Sequence, residues 1–213
     1  MEFSQKNKRF IVIGIAILIL TVYFVPLGWH GLLEPDEGRY SEIPREMVES
    51  GDFVTPRLNY VKYFEKPILL YWMNAASFMA LGENEFAARF PTALSGVLGA
   101  LVTALLCSAV FGRRAGAIAG AVTALSLLYF AIGTITLTDM PLSLFLTAAL
   151  SAFYYGHIKN DRRWFLAFYA SVALGLLAKG LIAIVLPGGI IFWYIIFTKK
   201  WRLILDALYL PGI

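Results

Sequence analysis

Charged residues are unevenly spread along this 213-residue chain, and their positions suggest chemistry. Ten of its fourteen acidic residues fall between His30 and Arg89, while Asp139 and Lys179 stand alone at the joints of long apolar runs. An isolated charge beside hydrocarbon is costly, which makes such positions candidates for binding or proton transfer. The acidic stretch opens with Glu34-Pro-Asp-Glu-Gly-Arg-Tyr40, where Asp36 and Tyr40 are four apart and share one face of a helix. A carboxylate there can orient a hydroxyl or take its proton. The same pattern suits a structural role, with Asp36 as N-cap and Glu37 as first-turn charge. Further on, Tyr63-Phe-Glu-Lys-Pro67 places Glu65 beside Lys66, and adjacent side chains diverge. Lys66 can then meet an anionic headgroup while Glu65 contacts an amine or hydroxyl. Alternatively, Tyr60, Tyr63 and Lys66 form an aromatic and basic belt at a membrane surface. Lys179 suits a lipid phosphate, or simply snorkels, and Asp139, before Met140-Pro141, can cap a helix. Cys107 lies inside an apolar run and reads as packing; His30 and His157 form no metal pair and read as interfacial.

The elements that must hold these residues are set by composition. The chain is 59% hydrophobic and only 15% charged, with mean hydropathy +0.71. A soluble domain carries about 25% charged residues, so this surface faces lipid. The net charge of +4 does not mark a nucleic-acid binder, because the basic residues cluster between apolar runs and form no continuous face. Six uncharged stretches, 10–29, 91–111, 115–138, 140–158, 164–178 and 180–198, are long enough or nearly so to cross a bilayer. The pattern predicts an all-α polytopic membrane helical bundle, one transmembrane domain over 1–213. Its first outer loop, 30–90, carries juxtamembrane helices. The first stretch lacks a small-residue cleavage site, which favours an uncleaved helix over a signal peptide.

Lysines and arginines orient the bundle. Lys6/Lys8/Arg9, Arg113/Arg114, Lys159/Arg162/Arg163 and Lys199/Lys200/Arg202 all become cytoplasmic if an even number of crossings separates successive clusters. The six stretches meet that condition provided the apolar run 67–82 does not cross. It is therefore expected to be an interfacial or re-entrant helix, the alternative being a seventh span that puts one cluster on the wrong side. The N-terminus is then cytoplasmic, and the loop, Asp139 and Lys179 share the outer face. Within the loop, Tyr40, Ile43 and Met47 form a stripe expected to lie on the membrane surface, with a kink or a restart at Pro44 and a stop at Ser50-Gly51-Asp52.

Several stretches resemble the C-type (GT-C), lipid-phosphate-sugar-dependent glycosyltransferases. They are Pro35-Asp-Glu-Gly-Arg-Tyr40, Gly51-Asp-Phe-Val-Thr-Pro-Arg-Leu-Asn59, Tyr63-Phe-Glu-Lys-Pro67, Glu83-Asn-Glu-Phe-Ala-Ala-Arg-Phe-Pro91, Leu137-Thr-Asp-Met140 and Leu177-Ala-Lys-Gly180. The nearest branch is that of the bacterial 4-amino-4-deoxy-L-arabinose transferases of lipid A, related to protein O-mannosyltransferases. The resemblance implies an inner-membrane enzyme with a periplasmic active face, taking a polyprenyl-phosphate-linked sugar to lipid A or another envelope acceptor. By position, Asp36 and Asp139 would be catalytic, Asp36 activating the acceptor oxygen. Lys66, Tyr63 and Lys179 would hold the departing phosphate, and Glu37, Tyr40 and Glu65 would line or support the sugar and acceptor pocket. Some relatives use a divalent metal; no residues here have closed metal-ligand spacing, so no metal or other cofactor is assigned. Family members are more than twice this length, so the chain is expected to be the N-terminal part of a longer module, with a C-terminal half missing. The rival expectation is a non-catalytic lipid-phosphate-binding or assembly subunit. A transporter is disfavoured because the acids gather at one face and not at mid-membrane.

Overall fold

A computed structural model describes residues 5–201 and residue 203. Arg202 and the apolar start at 204–213 lie outside them, as do the side chains of Lys6, Lys8 and Arg9. Among the described residues the chain is helical, with one small hairpin. In order come α1 (Gln5–Phe24), a 3-10 turn (Val25–Gly28), α2 (Asp36–Ser50), β1 (Arg57–Leu58), β2 (Val61–Lys62), α3 (Leu69–Leu81) and α4 (Glu85–Phe111). Then follow α5 (Arg113–Leu125), α6 (Leu127–Gly133), α7 (Asp139–Lys159), α8 (Arg163–Lys179) and α9 (Ile182–Thr198). The chain is a polytopic membrane helical bundle, and its exposed apolar side chains, such as Leu105, Val122 and Phe197, are those of a lipid-facing surface.

Helices stand where the apolar stretches were, with one difference. The stretch 115–138 is two helices, α5 and α6, bent by 63° at Ser126. Ser126 has extended backbone and interrupts the hydrogen-bond ladder there. By length and apolar character α4 qualifies alone as a crossing helix, and the bent α5–α6 pair qualifies jointly. The run 67–82 forms α3, 13 residues or about 20 Å long, shorter than a bilayer core of about 30 Å.

Small residues let these helices approach. A Cβ added at Gly116 of α5 would sit 1.8 Å from Ser108 Oγ of α4, and one at Gly120 would sit 2.7 Å from the Ala104 Cβ. Without a hydrophobic force between helices in lipid, such close backbone contact is what holds a pair together.

α3 plays a different part. Prolines Pro44 and Pro91 lie inside α2 and α4, and each lacks the N–H that would reach the carbonyl four residues earlier. Those carbonyls belong to Tyr40 and Ala87. Asn74 Nδ2 of α3 donates to the Tyr40 carbonyl at 3.4 Å, and Ser77 Oγ donates to the Ala87 carbonyl at 2.6 Å. One short helix thus satisfies both gaps and joins α2 to α4. The expected restart at Pro44 is absent: α2 runs as one element to Gly51, whose φ of 71° ends it. The stripe of Tyr40, Ile43 and Met47 also differs from expectation. It does not lie on the membrane; it packs against Leu70 and Tyr71 of α3, where apolar partners are already in place.

Candidate functional site

The site forms where the tips of α2, α7 and α8 meet the segment leading into α3. Asp36 is the first residue of α2; the N-cap is Pro35, so the expected capping role for Asp36 does not hold. Its carboxylate instead accepts from Arg39 Nη2 at 2.7 Å, three residues along. Arg39 Nη1 also donates to the Tyr63 hydroxyl at 3.1 Å and lies 3.7 Å from Glu65. Tyr63 in turn donates to Glu65 at 2.8 Å. Asp36, Arg39, Tyr63 and Glu65 are therefore one network, with the guanidinium at its centre. Asp36 and Glu65 keep half or more of their side-chain surface exposed, 50% and 67%, so both carboxylates can still meet a ligand.

Asp139 opens α7 one residue after its N-cap, Thr138, and pairs with Lys179 at the end of α8. Gly180, with φ of 86°, turns the chain from α8 towards α9. A Cβ there would come 3.9 Å from Pro67 Cγ, so the residue after Lys179 abuts the residue after Lys66. Lys66 has no hydrogen-bond or ion-pair partner among the described residues. The two lysines thus flank one contact. Burial first, and then the charges of Asp36 and Asp139 among others, push the Tyr40 phenol above its ordinary value; both carboxylates act on the same hydroxyl. Tyr40 itself is only 5% exposed and packs 6.3 Å from the Tyr71 ring, backing the site and presenting little open surface to it.

Glu37 corrects another expectation. It was expected to contact substrate, but it is fully buried and every part of its carboxylate is engaged. Arg89 Nε and Nη2 each donate to it at 2.8 Å, one per oxygen. The backbone N–H groups of Leu33 and Thr136 add 2.8 and 2.9 Å bonds. Burial alone would raise the carboxyl pKa; Arg89 and the two backbone donors outweigh it and hold the pKa below the ordinary value. Arg89 is fully buried too, and donates to the carbonyls of Leu27, His30 and Gly31. His30 Nδ1 lies 3.1 Å from Arg89 Nη2, so this histidine belongs to the same cluster, where an interfacial role was expected. Neither Arg39 nor Arg89 was assigned a role from sequence. A lone arginine among Ala87, Ala88 and Pro91 was the available signal, since a charge in an apolar helix face needs a buried partner.

From Asp139 an apolar groove of about 420 Å³ runs three turns along α7, past Leu142, Leu146 and Leu150, with Leu106 of α4 on its other side. It joins a charged head to a hydrocarbon trough. Arg39, Lys66 and Lys179 can hold an anion, and Asp36, Asp139 and Glu65 can accept from hydroxyls or an amine.

The chain is similar to known proteins over most of its length. The family model described as dolichyl-phosphate-mannose-protein mannosyltransferase matches residues 65–211. The undecaprenyl phosphate-alpha-4-amino-4-deoxy-L-arabinose arabinosyl transferase 2 of Sodalis glossinidius is 36% identical over 196 residues, covering 89% of this chain and 36% of that protein. The corresponding transferase of Shewanella sediminis is 36% identical over 201 residues, 92% of this chain and 37% of its own. The crystal structure of ArnT from Cupriavidus metallidurans in the apo state superposes with a TM-score of 0.90 at 34% identity, covering 94% of this chain and 38% of that one. The same protein bound to undecaprenyl phosphate gives 0.86 at 35% identity. The chain therefore spans a little over a third of the length of the relatives it matches.

Proposed function

The chain belongs to the dolichyl-phosphate-mannose-protein mannosyltransferase family, whose members are glycosyltransferases, and from that premise we propose that it forms the donor-lipid side of such an enzyme. The donor is a polyprenyl-phosphate-linked sugar, of the 4-amino-4-deoxy-L-arabinose kind named for its relatives. The acceptor is lipid A or another envelope molecule at the periplasmic face of the inner membrane. The observation that carries this reading is the approach of Gly180 to Pro67, the residues that follow Lys179 and Lys66, with Lys179 paired to Asp139 at the head of an apolar groove.

In this reading the prenyl chain lies along α7 and its phosphate meets the two lysines. The acceptor hydroxyl loses its proton to Asp36 as its oxygen attacks the anomeric carbon. The bond from that carbon to the phosphate oxygen breaks, and Lys66 and Lys179 stabilise the charge that develops on the departing lipid phosphate. Asp139 positions Lys179; Tyr63 and Glu65 orient the sugar. Arg39 holds the Asp36 carboxylate in place and must yield some of its hydrogen bonding when a hydroxyl arrives.

Membranes containing the chain, incubated with labelled lipid-linked sugar, test this directly. Transfer is expected for the wild-type chain and a drop of about 100-fold or more for Asp36→Asn, the scale of a lost general base. Transfer by Asp36→Asn at the wild-type rate would remove Asp36 from the chemistry. A second reading is favoured by one specific fact, that the Asp36 carboxylate already accepts from Arg39 Nη2 at 2.7 Å. In it the chain binds the lipid phosphate without turnover. Undecaprenyl phosphate binding that Lys66→Ala weakens, with no transfer by the wild-type chain, would select that reading.

A further inference from the structure

The end of the bundle away from Asp36 carries charge of the opposite sign. α7 leaves the site at Asp139 and reaches Lys159 after 21 residues, about 31 Å along its axis. α8 sets out from there at Arg163, and α9, which begins just after Lys179, brings Lys199 and Lys200 back to the same end. Beyond Asp139 the one acid among the described residues is Asp161, and its Oδ1 accepts from the Arg163 backbone N–H at 3.0 Å. Lys159, Arg163, Lys199 and Lys200 have no carboxylate partner among the described residues.

Two of these cations are held by aromatic rings in place of acids. The Lys159 ammonium stands 5.0 Å from the Tyr155 ring centroid and 5.3 Å from that of Trp164, and the two rings lie 4.9 Å apart. A ring face attracts the charge but leaves the N–H donors to an oxygen acceptor, and Lys159 has no such acceptor among the described residues. The Lys200 ammonium lies 3.0 Å from His157 Nε2, donates to the Tyr194 hydroxyl at 3.4 Å and stands 5.9 Å from the same ring, so at least one of its N–H groups remains to donate. His157 and Lys159 share the last turn of α7, which puts both ammonium groups at one helix end. Tyr155 is itself anchored, its hydroxyl donating to the Leu105 carbonyl of α4 at 3.3 Å. A lysine that only seeks water extends into it; these two fold back onto rings, with donors to spare for an anion.

The aromatic residues also indicate where that anion comes from. Tyr155, Trp164, Tyr194 and the exposed Trp201 gather at this end, and such rings concentrate at the headgroup level of a bilayer. Basic pockets between helix ends at that level suit anionic headgroups. We propose that the ends of α7 and α9 form a binding site for an anionic phospholipid headgroup, whose phosphodiester oxygens accept from Lys159 and Lys200. The site lies a helix length from Asp36, and its occupant is a membrane lipid and not the sugar donor.

Native mass spectrometry of the full chain in neutral detergent tests this, with phosphatidylglycerol, phosphatidylcholine and inorganic phosphate as separate titrants. Phosphatidylglycerol is expected to bind about tenfold or more tightly than phosphatidylcholine, whose choline offsets the phosphate charge. Lys159→Gln/Lys200→Gln is expected to remove that preference while leaving phosphatidylcholine binding unchanged. Lys159→Arg/Lys200→Arg, which keeps both charges and their attraction to the rings, is expected to retain it. Trp164→Leu is expected to weaken phosphatidylglycerol binding about threefold, because one ring no longer holds Lys159. Lys66→Ala, at the other end of the bundle, is expected to change nothing. Equal binding of the two lipids, or a preference that survives Lys159→Gln/Lys200→Gln, overturns the assignment. A preference lost in Lys66→Ala would place the lipid at the Asp36 site, and displacement of phosphatidylglycerol by inorganic phosphate would mark a site for the free anion; either result also overturns it.

Discussion

At the scale of single residues, the Glu37–Arg89 pair decides more than its exposed neighbours. Both side chains are buried, and the pair joins α2, α4, the 27–31 turn and Thr136. Removing one partner strands the other charge out of water, so Arg89→Met or Glu37→Gln is expected to cost about 3–5 kcal/mol. Thermal unfolding in detergent checks this, and the double change Glu37→Leu/Arg89→Met is expected to cost less than either single one. The pair also has a pH signature. Because the folded-state pKa of Glu37 lies below its unfolded value, its contribution is fully present above about pH 4.3. It fades as pH falls through the lower, folded pKa, so wild-type stability declines more steeply there than that of Glu37→Gln, in which Glu42 and Asp52, also held low, still titrate. Asp139 and Lys179 were legible as candidates because isolated charges at the edges of apolar runs stand out, whereas Asp36 and Lys66 sit among other charges and were singled out by the family resemblance. Glu37 was misjudged for a physical reason: its partner lies 52 residues away, and local spacing carries no trace of it.

At the scale of elements, α3 is the piece whose purpose the amino-acid pattern conceals. The parity of the basic clusters led to the expectation of a short helix that does not cross, but gave no sign of a donor of hydrogen bonds to carbonyls freed in two other helices. Asn74→Leu is expected to destabilise the loop by about 1–3 kcal/mol, since the Tyr40 carbonyl is left buried and unpaired. Adding Pro44→Ala to that variant restores an N–H four residues after Tyr40 and is expected to recover part of the loss, a coupling that a double-mutant cycle measures. The bend at Ser126 was also hidden, because an uninterrupted apolar run gives no sign of a break in the ladder. By contrast, the α4–α5 joint follows directly from Gly116 and Gly120. Gly116→Leu is expected to push α5 off α4 and lower the melting temperature while leaving the Asp36 network untouched, seen as retained Lys66-dependent lipid binding.

At the scale of the whole molecule, cysteine labelling reads which side of the bilayer each tip occupies. If α3 returns without crossing, single cysteines at Asn59 and Asn84 will label from outside and one at Asn160 only from the cytoplasm. Labelling of Asn59 and Asn84 from opposite sides would mean that α3 traverses, and would break the shared face on which the proposed chemistry rests. The helical character of the bundle was readable because lipid demands long apolar runs; the convergence of loop tips was not, since it depends on contacts such as Pro67 with Gly180 that span more than a hundred residues. One of those contacts limits how the molecule can move. Glu37 is bonded to Asp36's chain neighbourhood by Leu33 and to Asp139's by Thr136, so the two outer carboxylates ride on a common rigid floor. A bulky guest cannot enter by prising them apart. The hairpin of Arg57–Leu58 and Val61–Lys62, two residues per strand, is joined instead to α2 by the Tyr60 N–H, which donates to Glu46.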